Sequence, residues 1–195
     1  STTFMKQATI CFITDNRYIV PTTLAITSLV ANKNSDSFYT VYVLAKDLTA
    51  ENKAVLQTFN RPDVQLQVVE ARPEQQYEGV VSGNAHVSAA ALYKFSLADI
   101  FPDCDKLLYM DGDVLVRQDL SDFYAMDLTG VYAAVVKDYR AIVSKPNPME
   151  FLPVKHQAYF NSGVILLNLK RMRQCHIKRR LIGYRLHGIN HFVDQ

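Results

Sequence analysis

The sequence predicts an α/β fold, a mainly parallel central sheet flanked by helices, built as one domain over residues 1–195. Three observations predict it. Short β-rich runs alternate with stretches of helical periodicity, the pattern of strand–helix–strand units. Leu107–Met110 is apolar without a break, as in a strand covered on both faces. The chain is 49% hydrophobic and 21% charged over 195 residues, ordinary globular composition with enough apolar side chain for one substantial core.

Ala8–Thr14 reads as a buried first strand, with Asp15, Asn16 and Arg17 in the loop after it. Pro21 suits a first helical turn, and Leu24, Ile26, Leu29 and Val30 supply an apolar helical face up to about Ala31. Phe38–Leu44 is a second strand. Thr49 is placed to cap the next helix, whose Val55, Leu56 and Phe59 are expected to face the core. Val64–Val69 alternates apolar and polar residues as a third strand. A helix is expected over His86–Asp99, then the central strand, a short helical turn over Asp119–Tyr124, and a buried strand Val131–Val136 ending at Lys137-Asp138. Ala141–Pro153, with its prolines, reads as a surface loop. Tyr159–Leu169 is apolar except for Asn161-Ser162-Gly163, and polar residues at strand ends in α/β sheets often line the ligand crevice. Leu169–Leu186 then reads as a basic amphipathic helix.

The candidate chemistry lies at the end of the central strand, in Asp111-Gly112-Asp113. In extended backbone, residues i and i+2 share a side, so both carboxylates can converge on one point. Close like charges repel unless a cation or proton intervenes, and all-oxygen ligands suit Mg²⁺, Mn²⁺ or Ca²⁺. Gly112, with no side chain, leaves room for a diphosphate at the backbone. The same residues also read as a hairpin, because Asp-Gly favours a type I′ turn and Leu107–Met110 can pair with Val114–Val116. Both readings stand on spacing alone. Asp15 carries a similar pair of readings, as acceptor for a nucleobase N–H or as a turn residue.

Composition narrows the classes. No Gly-rich loop follows the first strand, which argues against a dinucleotide fingerprint and a P-loop. Cys11, Cys104 and Cys175 are odd in number and far apart, which fits a reducing, cytoplasmic setting better than a disulfide framework. No apolar run reaches bilayer length and no signal-peptide pattern opens the chain. Net charge is only +2, yet Lys170, Arg171, Arg173, Lys178, Arg179, Arg180 and Arg185 cluster without an acid among them. That cluster suggests an anionic partner, such as an inner-membrane surface or phosphorylated glycolipid, and a solvated helix face explains it as well. Nucleic acid is not expected.

The order of motifs resembles glycosyltransferase family 8, whose members include bacterial lipopolysaccharide galactosyl- and glucosyltransferases and, more distantly, glycogenin. The resemblance rests on Ile10–Asp15 with Tyr18 and Pro21, His86, Asp103–Val116, Phe160–Lys170 and Phe192–Gln195. It implies a GT-A fold, a UDP-galactose or UDP-glucose donor, Mn²⁺ or Mg²⁺, a saccharide or glycolipid acceptor, and transfer with retention of anomeric configuration. By the same resemblance Thr14, Asp15 and Tyr18 serve the nucleotide, together with Asp111, Gly112 and Asp113. Asp111 and Asp113 hold the metal. His86, Lys94, Asp138, Asn161 and Ser162 surround the sugars, and Asp194 and Gln195 stand at the reacting carbon.

Lys94 stands where the family often has arginine, and Arg17 where it often has asparagine. The resemblance also implies a later His-x-x-Gly segment as third metal ligand, which these 195 residues do not contain. A chain truncated there is expected to fold, to bind nucleotide weakly and to be a poor enzyme. Two further readings compete: a UDP-sugar-binding module without catalytic competence, and a metal-dependent phosphohydrolase using the paired aspartates.

Overall fold

The computed structural model describes residues 6–71, 96–134, 143–144 and 163–175. In chain order the elements are β1 (Lys6–Ile13), α1 (Ile19–Ala31), β2 (Ser37–Leu44), α2 (Ala50–Gln57) and β3 (Val64–Val69), then a helical stretch at 96–100. They continue with β4 (Lys106–Met110), β5 (Leu115–Val116), α3 (Ser121–Tyr124), β6 (Ala133–Ala134), β7 (Val143–Ser144), β8 (Val164–Asn168) and α4 (Leu169–Gln174).

Strands β1, β2 and β3 pair in parallel, as short strands joined by helical crossovers must. After β3 the chain returns to the other side of β1, where β4 also pairs in parallel. β8 then joins β4, and β6 joins β8, both antiparallel, giving the order β3-β2-β1-β4-β8-β6. β5 and β7 form a separate two-stranded ribbon. The point where strand order reverses, between β1 and β4, is where open α/β sheets bind ligands, outside the carboxyl ends of the strands.

Burial explains the doubly apolar central strands. Ile10, Phe12, Leu108, Met110, Val164 and Leu166 face the core under α1, while Cys11, Leu107, Tyr109, Ile165 and Leu167 face the core under 96–101 and α4. Each strand therefore alternates between two cores and shows neither face to water. Pro21 sits in the first turn of α1, and Thr49 caps α2 by accepting from Asn52 N at 3.2 Å.

Three expectations change. β4 does not form a hairpin with Val114–Val116, since β1 and β8 occupy both its edges and β5 pairs with β7. Only Ala133–Ala134 of the expected Val131–Val136 strand joins the sheet within the described residues, and Val131 is exposed. Leu24 and Val55 are exposed, so the buried face of α1 is Thr22, Ala25, Ile26 and Leu29, and that of α2 is Leu56. The helix expected from His86 is described only from 96 onward, and the loop Ala141–Pro153 lies outside the described residues except for β7.

Candidate functional site

Thr14 and Asp15 follow β1 at its carboxyl end, and Asp111 follows β4 beside them. The parallel register pairs Phe12 with Met110, which puts Asp111 level with Ile13. The sheet thus brings together two of the segments singled out in the sequence.

The loop after β1 is tied down by its own polar side chains. Asp15 Oδ1 accepts from the backbone N–H groups of Arg17 at 2.8 Å and Tyr18 at 3.0 Å. That is the turn-forming role expected of an aspartate here, and it leads directly into α1. Asn16 crosses to the next loop: its Nδ2 donates to Asp47 O at 2.9 Å, and its Oδ1 accepts from Thr49 N and Asn52 Nδ2. Asp47 has φ 59°, a left-handed conformation that aspartate tolerates better than most residues. The loops after β1 and β2 are therefore one hydrogen-bonded rim. Tyr18 stands on it 62% exposed, a large aromatic surface open to a stacking ligand.

Asp111–Val114 is a turn rather than extended chain, with Val114 N donating to Asp111 O at 3.3 Å. The alternation argument for bringing the two carboxylates together does not hold through residue 112. Neither is the turn type I′: Gly130 is the only described glycine with positive φ. The glycine answers to packing instead. A Cβ at 112 would lie 2.6 Å from Thr22 Oγ1 of α1. Asp111 N donates to Gly163 O at 2.8 Å, which extends the β4–β8 ladder by one step.

The Asp111 carboxylate is oriented from the opposite face. Tyr109 lies two residues earlier on the same side of β4, and its hydroxyl donates to Asp111 Oδ1 at 3.0 Å. Burial, and after it the negative charge of Asp111, hold this phenol well above its ordinary pKa, so it stays a donor. Asp111 is half-buried and Asp113 exposed. This donor set fits a hard divalent cation, which takes carboxylate oxygens and completes its shell with water and ligand oxygens. Among the described residues no group of three or more His, Cys, Asp or Glu side chains assembles, so the described candidates to hold such a cation are Asp111 and Asp113 alone.

His86, Lys94, Asp138, Asn161, Ser162, Asp194 and Gln195 lie outside the described residues. The basic helix is described only through α4, and there the surface reading narrows. Arg173 donates to Ala98 O, Phe101 O and Cys104 O at 3.0–3.1 Å, and Arg171 lies over the Tyr132 ring at 5.1 Å. Both guanidinium groups serve the fold, and only Lys170 of the described cations there is exposed. No described helix is long and apolar enough to cross a membrane. The three cysteines are free thiols, as their spacing suggested.

Sequence reasoning missed Asn16, Thr22 and Tyr109. Tyr109 was findable, because period 2 on a strand puts it beside Asp111. Thr22 was not, since nothing in the sequence tells which helical threonine meets which strand end.

The fold is that of the GT-A glycosyltransferases. Among solved structures, the galactosyltransferase LgtC in complex with donor and acceptor sugar analogs aligns with TM-score 0.64 at 24% identity, over 96% of this chain and 66% of that one. The chain belongs to glycosyl transferase family 8, whose model matches residues 9–191. Its relatives include a putative glycosyltransferase of Haemophilus influenzae, 23% identical across 95% of this chain and 56% of the relative. Lipopolysaccharide 1,2-glucosyltransferase of Escherichia coli K12 is 34% identical over 92 residues, 47% of this chain and 27% of that protein. The chain thus spans little more than half the length of the Haemophilus relative.

Proposed function

We propose that this chain is the donor-binding part of a retaining hexosyltransferase. It takes UDP-galactose or UDP-glucose with Mn²⁺ or Mg²⁺ and extends a saccharide or glycolipid acceptor in lipopolysaccharide or another bacterial surface glycan. The carrying observation is the meeting of the Thr14–Tyr18 loop and the Asp111–Val114 turn at the strand-order reversal, in a chain of this family.

In this reading Asp111 and Asp113 hold the cation beside the diphosphate. A bound divalent cation stabilises the charge that builds on a departing diphosphate. Tyr18 supplies a face for the uracil, and Asp15, besides shaping the turn, accepts from the base. The sugar-end assignments rest on the family resemblance: His86, Lys94, Asp138, Asn161 and Ser162 around the sugars, Asp194 and Gln195 at the anomeric carbon. The proposal places the enzyme in the cytoplasm, with cations of the Lys170–Arg185 segment available for peripheral contact with an anionic inner membrane.

Calorimetric titration of UDP with and without Mn²⁺, on this chain and its Asp113→Ala variant, tests the reading. Metal-dependent binding by the parent chain and its loss in the variant are expected. Equal UDP affinity with and without metal in both proteins overturns it.

A further inference from the structure

We propose that Thr22 is a positioning residue that joins the loop after β1 to the Asp111–Val114 turn and keeps the two halves of the donor site in register. This rests on the reading of those two segments as that site, but the joint itself is a property of the fold. Thr22 is fully buried on α1, a place where its neighbours Ala25, Ile26 and Leu29 are apolar. A buried hydroxyl in such company is costly unless it is bonded.

Proton accounting shows how it is bonded. Thr22 Oγ1 lies 2.8 Å from Tyr18 O and 2.8 Å from Thr14 Oγ1. A carbonyl only accepts, so the single Thr22 proton goes to Tyr18 O, and the Thr14 hydroxyl must be the donor in the other bond. The only other acceptor for Thr14 among the described residues is its neighbour's carbonyl, Asp15 O, at 3.4 Å. One oxygen therefore fastens the end of β1 to the first turn of α1, across the Asp15–Tyr18 loop.

The same oxygen meets the second segment. Phe12 and Met110 face the core under α1, and just beyond these strand ends Thr14 and Gly112 both come up against Thr22. Thr22 Oγ1 occupies the ground where a Cβ at residue 112 would stand, 2.6 Å away. It cannot swing aside without breaking both hydrogen bonds. Gly112 is thus fitted to Thr22, and the turn bearing Asp111 and Asp113 takes its position from α1. Tyr109 holds Asp111 from the other face of the sheet. Thr22 is the counterpart on this one.

Thr22→Val removes the hydroxyl at nearly constant volume, Thr22→Ser keeps it, and Thr22→Ala combined with Gly112→Ala tests the contact. Three readouts separate the outcomes. Amide exchange in Thr22→Val should quicken about tenfold in both residues 15–18 and 112–114, and stay near the parent rate in Thr22→Ser. Gly112→Ala alone should lower the melting temperature by about 5 °C, and by less than half of that in the Thr22→Ala background. UDP affinity in the presence of Mn²⁺ should fall roughly tenfold in Thr22→Val and return in Thr22→Ser, whereas a residue serving stability alone would leave it unchanged. The inference is overturned if exchange at 112–114 does not respond, if Gly112→Ala costs the same in both backgrounds, or if Thr22→Val binds UDP as the parent does. A parent chain that binds no UDP with Mn²⁺ would instead defeat the functional reading, while exchange and melting still decide the role of Thr22.

Discussion

Replacing Tyr109 by phenylalanine removes one oxygen and leaves a ring of the same shape in the core of Leu107, Ile165 and Leu167. The atom lost is the donor to Asp111 Oδ1 at 3.0 Å. Hydrogen bonds to charged acceptors contribute about 1.5–3 kcal/mol, but Asp111 is only half-buried and its freed oxygen can regain water. The net loss in unfolding free energy should therefore be about 1 kcal/mol, a fall of roughly 2–4 °C in melting temperature for a chain of this size. Cation binding should suffer more. A ligand carboxylate without its orienting partner typically loses 10–100-fold in metal affinity, so the Mn²⁺ affinity measured with UDP should drop at least about tenfold, or roughly 1.4 kcal/mol. Electron paramagnetic resonance of free Mn²⁺ during titration reads this directly, and differential scanning calorimetry of the metal-free protein reads the stability. If Tyr109→Phe lost stability as estimated yet bound Mn²⁺ with the parent affinity, the orienting role of Tyr109 would be refuted.

Two further outcomes follow from polar groups away from the crevice. Arg173→Met strips the guanidinium from three carbonyls, Ala98 O, Phe101 O and Cys104 O, and should destabilise by about 2–3 kcal/mol; an unchanged melting curve would show those carbonyls content with water. Asp119 governs acid stability. Burial raises its pKa, but hydrogen bonds from Ser121, from the Tyr39 hydroxyl and from the backbone of Asn34 outweigh burial and bring it to about 2. A carboxylate depressed in the folded state contributes stability above its unfolded pKa, and that contribution is lost as pH falls from about 4 to about 2. Asp119→Asn should lower the melting temperature at neutral pH and flatten its fall over that acid range; a fall as steep as the parent's would exclude Asp119 as the source.

Much of the fold was legible because the strands declare themselves by composition. Phe38–Leu44, Val64–Val69 and Leu107–Met110 are β-rich runs of strand length, and the structure places each within a residue or two of its expected bounds. Helix faces were less legible. In α1 the apolar residues are distributed around the helix, so hydrophobicity alone could not tell that Leu24 faces water while Thr22 faces the sheet. The direction of β8 was also hidden, since an apolar strand reads the same whether it runs with or against its neighbour.

The Asp-Gly-Asp segment shows why spacing alone could not separate a metal site from a hairpin. The two readings share every local feature: a strand, a turn-forming Asp-Gly and an apolar continuation. What excludes the hairpin is non-local. A hairpin needs a free edge on β4, and β1 and β8 take both edges, one from far up the chain and the other from far down it. Gly112 makes the same point on a smaller scale. Its missing side chain reads from the sequence as space left for a ligand, but in the fold Thr22 fills that space from α1. The carboxylates are thus supplied by local sequence, and their placement by a tyrosine on one face and a threonine on the other. A variant that keeps Asp111 and Asp113 but changes either support tests placement apart from chemistry, and the two supports, on opposite faces of the sheet, should contribute nearly additively to Mn²⁺ affinity. Strong coupling between Tyr109→Phe and Thr22→Val would mean that the turn shifts as one piece, and that it is not held independently from its two sides.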